Sequence, residues 1–350
     1  MSTDPTEAEV LKTAHKLVKD VLKTRPNETV VITCDTASDW GFVTAVEQAV
    51  VSVSARPLVV RNKAPPHVGR AADPYLPLES LTAAVASSDV WIELNAKWLL
   101  YSSVYEAAMK RAHTKYMCLV GMNVDMANRC VGGVDVPRVL EFQRALQRIT
   151  ERTHSMHYTT PGGTDVTFEN DPKRPVLVEG DVSGPGEYML LGQVDWAPLE
   201  ETINGVIAFD GSVNPPDELG LLKRPVKIEI RNGRVVRVHG GEEAKVYEMW
   251  LASLHDEKMY ELAHLSYGCN PGAKLTGNVL EDERIWGVLE WGLGNQSETF
   301  RARDTKAVSH SDGITLRPTL EGDGQLIIKD SRFVHPELTE LAENLTPSPD

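Results

Sequence analysis

The sequence predicts an α/β first half built on a parallel sheet and an α+β second half rich in antiparallel sheet. Three observations predict it. Helical stripes alternate with short β-branched runs through residues 1–153. Beyond that, alternating strand patterns punctuated by Gly, Asn and Pro dominate. The chain has 350 residues, 41% of them apolar, enough for two cores. The expected division is an α/β domain over 1–153, an α+β domain carrying the functional site over 154–345, and a disordered Pro/Ser-containing tail over 346–350.

The elements follow in order. Val10, Leu11, Ala14, Leu17, Val18, Val21 and Leu22 form one apolar stripe, so residues 8–22 are expected to be helical. Residues 29–34 (TVVITC) are continuous and β-branched, as in a strand covered on both faces. A helix over 39–51 leads to a strand over 56–60. A helix over 78–86 leads to a strand over 90–94, and a helix over 104–113 to a strand over 115–120. A long helix is expected over 136–152. In the second half, Pro161-Gly162-Gly163 turns into a strand ending near Phe168. Strand patterns occupy 192–209 and 226–238, the latter folded at Asn232-Gly233 as a hairpin. Residues 243–254 are helical, and later strands lie near 287–293, 308–316 and 325–328.

Composition narrows the function. Four scattered cysteines with no CxxC pair point to a reducing cytoplasm and against a disulfide scaffold or zinc ribbon. A formal charge of −14 argues against nucleic acid or an anionic membrane as partner. No apolar run is long enough for a membrane-spanning helix, and the acidic start Met1–Glu9 lacks a secretory-signal pattern. There is no P-loop, no GxGxxG after the first strand, no GxSxG and no HExxH.

The most informative motif is His310-Ser311-Asp312, in a run that reads as a strand broken by Gly313. Residues i and i+2 of a strand share a face, so an imidazole and a carboxylate stand side by side. With a third ligand they make the two-histidine, one-carboxylate face of a non-heme Fe(II) site. His264, followed by a Gly/Asn/Pro turn, is a candidate third ligand, though only the fold can bring it there. Glu187, in Gly184-Pro185-Gly186-Glu187, sits where glycines permit close approach. Glu290, between Leu289 and Trp291, is a carboxylate on an apolar strand that needs a partner if buried. Asp165 reads as a strand start, Glu242 and Glu243 as a helix start, and His154 with His157 as a surface pair.

Taken in order, Gly163-Thr164-Asp165-Val166-Thr167-Phe168, Pro185-Gly186-Glu187, Gly240-Gly241-Glu242-Glu243, His264 and His310-Ser311-Asp312 resemble one metalloprotein superfamily. It contains the thermophilic-type metallo-aminopeptidases (aminopeptidase T) and the bacterial 2,5-dihydroxypyridine 5,6-dioxygenases. The peptidase ligand set is broken in two places. His264 stands where its second glutamate belongs, and no histidine occurs in 286–296. The dioxygenase set, a histidine at this place plus the terminal His-x-Asp, matches at all three positions. Two departures remain: Pro185-Gly186-Glu187 replaces a histidine-containing stretch, and Glu290 has no counterpart.

The resemblance to the dioxygenases implies Fe(II) held by His264, His310 and Asp312; Glu187 and Glu290, read from their own surroundings, are the catalytic candidates. It also implies a small hydroxylated aromatic substrate and O2, ring opening of the 2,5-dihydroxypyridine type to N-formylmaleamic acid, and a homo-oligomer. The alternatives are a dinuclear metal-dependent hydrolase using Glu187 and Glu290, and a non-catalytic protein retaining only the fold.

Overall fold

The computed structural model describes residues 5–303 and 306–345; the expected tail at 346–350 lies outside them. The chain divides into two units. One comprises Met1–Val136 with Glu179–Leu191, the other Pro137–Val178 with Gly192–Asp350.

The first unit holds a five-stranded sheet in the order Arg56–Asn62, Thr29–Asp35, Val90–Glu93, Lys115–Cys118, Gly186–Met189, and every pair is parallel. Central strands of such a sheet are covered on both faces, so they read as unbroken apolar runs. Val90–Glu93 and Lys115–Cys118 are accordingly buried at every residue. The Arg56–Asn62 edge is instead exposed or partly buried at every residue but Asn62. The helix Trp40–Ser52 starts where the Asp39 carboxylate accepts the amide of Phe42, satisfying one of the first-turn donors.

This division departs from the expected boundary at 153/154. The helix Val136–Arg152 belongs almost wholly to the second unit, where Phe142 packs on Trp286 and Phe333. Residues 179–191 return to the first unit, because Gly186–Met189 extends its sheet beside Lys115–Cys118. A strand recruited from so far along the chain leaves no local periodicity to read.

The second unit packs an eight-stranded and a seven-stranded sheet, all antiparallel among the described pairs. Phe168 of one meets Trp291 of the other edge-on at 5.4 Å, and the Tyr158 hydroxyl donates to Thr315. The hairpin Val226–Arg231/Arg234–Gly240 turns at Asn232 and Gly233, both with positive φ, as a two-residue primed turn requires. Gly313 does not break its strand: His310–Thr315 is continuous, and Gly313 pairs with Val213 and Trp291. A Cβ there would lie 2.4 Å from the Phe209 ring, so the glycine serves close packing. All four cysteines are free and buried. Among the described residues no helix is long and apolar enough to cross a membrane.

Candidate metal centre

Three neighbouring strands of the seven-stranded sheet build the site: Leu262–Gly268, Leu289–Gly294 and His310–Thr315. The register sets Ser266 opposite Glu290, Gly292 opposite Asp312 and Gly294 opposite His310. Side chains two apart share a face, so His264 with Ser266, Glu290 with Gly292, and His310 with Asp312 form one patch. The intervening residues, Trp291 among them, face the inter-sheet core. A register irregularity between Leu262 and Leu265 adjusts the strand around His264.

Gly292 lies between the two histidines. A Cβ on it would stand 2.8 Å from Cε1 of both His264 and His310, so both imidazoles occupy the space a side chain would fill. The rings lie parallel, 5.1 Å apart at 10°. One ligand atom each from His264, His310 and Asp312 lies within 4.8 Å of the others, and the three residues are 8%, 4% and 5% exposed.

The hydrogen bonds favour a cation at this point. His310 Nδ1 lies 2.6 Å from the Asn295 carbonyl, which only accepts, so Nδ1 carries a proton. Nε2 is then left 2.7 Å from Asp312 Oδ1. Two lone pairs cannot share that gap; a proton or a metal cation belongs between them. A histidine donating its second ring nitrogen to a backbone carbonyl is also the usual arrangement of a metal ligand. His264 Nε2 sits 3.4 Å from Glu290 Oε2 and 3.9 Å from Asp312 Oδ1. His264 Nδ1 and Glu290 Oε1 are buried without a hydrogen-bond partner among the described residues. Two imidazoles and a carboxylate, with Glu290 Oε1 a buried acceptor left over, fit a divalent transition metal.

Glu290 is fully buried. Burial, then the charges of Asp312 and Glu283, push its carboxyl well above the ordinary range. Asp312 moves the other way: burial alone would raise it, but His310 and His264 hold it below its usual value. Burial carries Glu283 up to about 7, with Asp312 adding to the effect. A polar line supports Glu290 from behind. Arg284 and Gln193 donate to Glu283 Oε2 at 2.8 and 3.2 Å, and Gln193 Nε2 also donates to Ser266 Oγ at 2.9 Å. The Ser266 hydroxyl, occupied as acceptor, donates to Glu290 Oε2 at 2.7 Å.

Among the sequence candidates, His264, His310, Asp312 and Glu290 therefore come together. Glu187 belongs to the first unit, on its edge strand, where its carboxylate accepts from the Tyr105 hydroxyl. Asp165 and His157 face each other at 2.8 Å on the exposed side of their sheet, and Glu242 and Glu243 open a helix. Sequence reading missed Ser266, Gln193, Glu283, Gly292 and Asn295. Two were within reach: Ser266 lies two residues from His264, and a glycine inside an apolar strand signals close approach.

A profile of the family described as 2,5-dihydroxypyridine 5,6-dioxygenase matches residues 13–335. A curated protein of that name from Pseudomonas putida is 24% identical over 206 residues, covering 58% of this chain; the match spans 57% of that relative's length. The solved 2,5-dihydroxypyridine dioxygenase of Pseudomonas putida superposes with a TM-score of 0.80 at 17% identity, covering 96% of this chain and 99% of that one. Wild-type AmpT from Thermus thermophilus gives 0.66 at 15% identity, covering 94% and 100%. At these identities the two structures establish a shared two-part fold.

Proposed function

The chain belongs to the 2,5-dihydroxypyridine 5,6-dioxygenase family, and from that premise we propose that it opens a hydroxylated N-heteroaromatic ring with O2, using Fe(II) held by His264, His310 and Asp312. The substrate is of the 2,5-dihydroxypyridine type, and both oxygen atoms enter the product, N-formylmaleamic acid. The observation that carries the reading is the convergence of two imidazoles and one carboxylate on one face of the sheet.

Bound Fe(II) would acidify a substrate hydroxyl and hold substrate and O2 side by side. The chain's own residues do the rest. His264, His310 and Asp312 would hold the ion with three donors, leaving it able to take up both reactants. Asp312 cancels only part of a divalent charge, which favours an anionic substrate. Ser266 holds Glu290 through Oε2, so its other oxygen, Oε1, is the atom assigned to receive or return a substrate proton. The hydrolase alternative has less support: the matching profile is that of the dioxygenases, and the described residues contain one three-donor group rather than a dinuclear set.

The test is elemental analysis after anaerobic purification, for wild type and His310→Ala, followed by O2 uptake with 2,5-dihydroxypyridine. One iron per chain, lost in the variant, with uptake matched by ring cleavage, is the expected result. Two non-iron metals with peptide hydrolysis would replace this reading by the hydrolase, and no tightly bound metal would end both.

A further inference from the structure

The two histidines are held in place by different means. His310 is oriented by a hydrogen bond from Nδ1 to the Asn295 carbonyl. His264 has no such handle: its Nδ1 is buried with no hydrogen-bond partner among the described residues, while its Nε2 faces the carboxylates. What touches its ring is packing. Phe300 lies parallel to it at 5.2 Å and 9°, and His310 lies parallel on another contact at 5.1 Å and 10°. Phe300 is itself 5% exposed.

Asn295 and Phe300 both lie in the connection that runs from the strand ending at Gly294 to the strand beginning at His310. Its base is closed where the Asn295 amide donates to the Ser309 carbonyl at 2.9 Å. Phe300 ends a short 3-10 turn, Glu298–Phe300, started by the Ser297 hydroxyl accepting from Thr299. Arg301 follows in the left-handed region at φ 51°, which ends the turn directly after the aromatic residue. One connection thus supplies a carbonyl to one histidine and an aromatic plane to the other.

We propose that Phe300 is a positioning residue for His264. Its ring fixes the plane in which the imidazole meets the metal, a role the Asn295 carbonyl fills for His310. This rests on the reading that His264, His310 and Asp312 hold a metal ion. A parallel aromatic face restricts rotation about the second side-chain torsion of His264, since tilting the imidazole would drive its edge into the Phe300 ring. A flexible side chain of similar volume would fill the space without imposing that plane.

The experiment compares wild type, Phe300→Met and Phe300→Tyr as full-length apo protein. Each is titrated anaerobically with Co(II), read by affinity and by the visible ligand-field spectrum, with apo melting curves recorded alongside. Phe300→Met keeps apolar volume and loses the plane; it is expected to weaken Co(II) about tenfold or more, in the range for loss of a ligand-orienting group, with an altered spectrum. Phe300→Tyr keeps the plane and is expected to match wild type in both. Wild-type affinity and spectrum in Phe300→Met would overturn the proposal and leave the metal site standing. Equal weakening in both variants would also overturn it, since the plane would then not be what matters. If wild type binds no metal, the metal reading itself fails. Should Phe300→Met not fold, Phe300→Leu takes its place, and loss of wild-type behaviour in Phe300→Tyr alone suffices to refute the proposal.

Discussion

Asp35 and Glu93 of the first unit are as deeply buried as Glu290 and Asp312 of the second, but their surroundings differ in kind. Asp35 accepts from the amides of Ala37, Ala96 and Lys97 and from the Ser38 hydroxyl. Glu93 accepts from the Leu99 amide and the Tyr116 hydroxyl. Both oxygens of each carboxylate are occupied, and every donor except Tyr116, which stands on the neighbouring strand, comes from a loop that the acids pin to the ends of the parallel strands. Glu290 has one oxygen occupied and one without a partner among the described residues. Asp312 faces two imidazoles whose own arrangement calls for a cation. Burying a carboxylate is costly in either unit. The first unit offsets part of that cost with its own donors, and the second leaves acceptors turned toward a point that no described side-chain donor fills. Burial alone therefore does not mark a site; the disposition of the lone pairs does.

The largest effect that should separate the units comes from His310→Ala. Losing one of three donors is expected to abolish stoichiometric metal binding and cut ring cleavage on the order of 10³-fold or more, several kcal/mol of metal-derived stabilisation, with the melting temperature of the apo protein nearly unchanged. Iron analysis and O2 uptake check it; retained iron would break the comparison.

Next is Gly292→Ala. The added methyl group would lie 2.8 Å from both imidazoles, so metal affinity should fall about 10–100-fold, as for other disturbances of ligand orientation. The matching control is Gly324→Ala, where a Cβ would meet nothing within 4 Å, although the positive φ adds backbone strain. That variant should lose stability and keep its metal affinity.

Glu93→Gln tests the first unit. An amide cannot accept from both the Leu99 amide and the Tyr116 hydroxyl in the same way, so a loss of about 1–3 kcal/mol is expected, with metal binding intact. The pH dependence gives a sharper signature. Burial raises the Glu93 carboxyl from 4.5 to about 7, so the native state keeps a proton that the unfolded chain has already released. The stability contributed by this group is therefore complete below about pH 4.5 and is lost as the pH rises through about 7. Wild type should weaken relative to Glu93→Gln across that window in denaturant titrations. A constant difference between the two proteins would refute the assignment.

The smallest effect is expected from Ser266→Ala. It removes the one described donor to Glu290 and should cost about 1 kcal/mol, with metal stoichiometry retained and a changed pH profile of kcat. An unchanged profile would show that Glu290 needs no help from its neighbour.

The sequence by itself determined the α/β character of the first half, the antiparallel character of the second, the Asn232-Gly233 hairpin and the side-by-side placement of His310 and Asp312. These rest on short-range physics: periodicity, φ preferences and the two-residue repeat of a strand. It also carried the family's motif order across most of the chain. Only the tertiary structure decided that His264 stands across Gly292 from His310, because strand register depends on pairing over long separations. The same holds for Ser266 and Gln193 behind Glu290, for Phe300 against His264, and for the return of residues 179–191 to the first sheet. Each is a contact between residues distant in the chain, set by how strands pair and which faces are buried, and no local pattern encodes it.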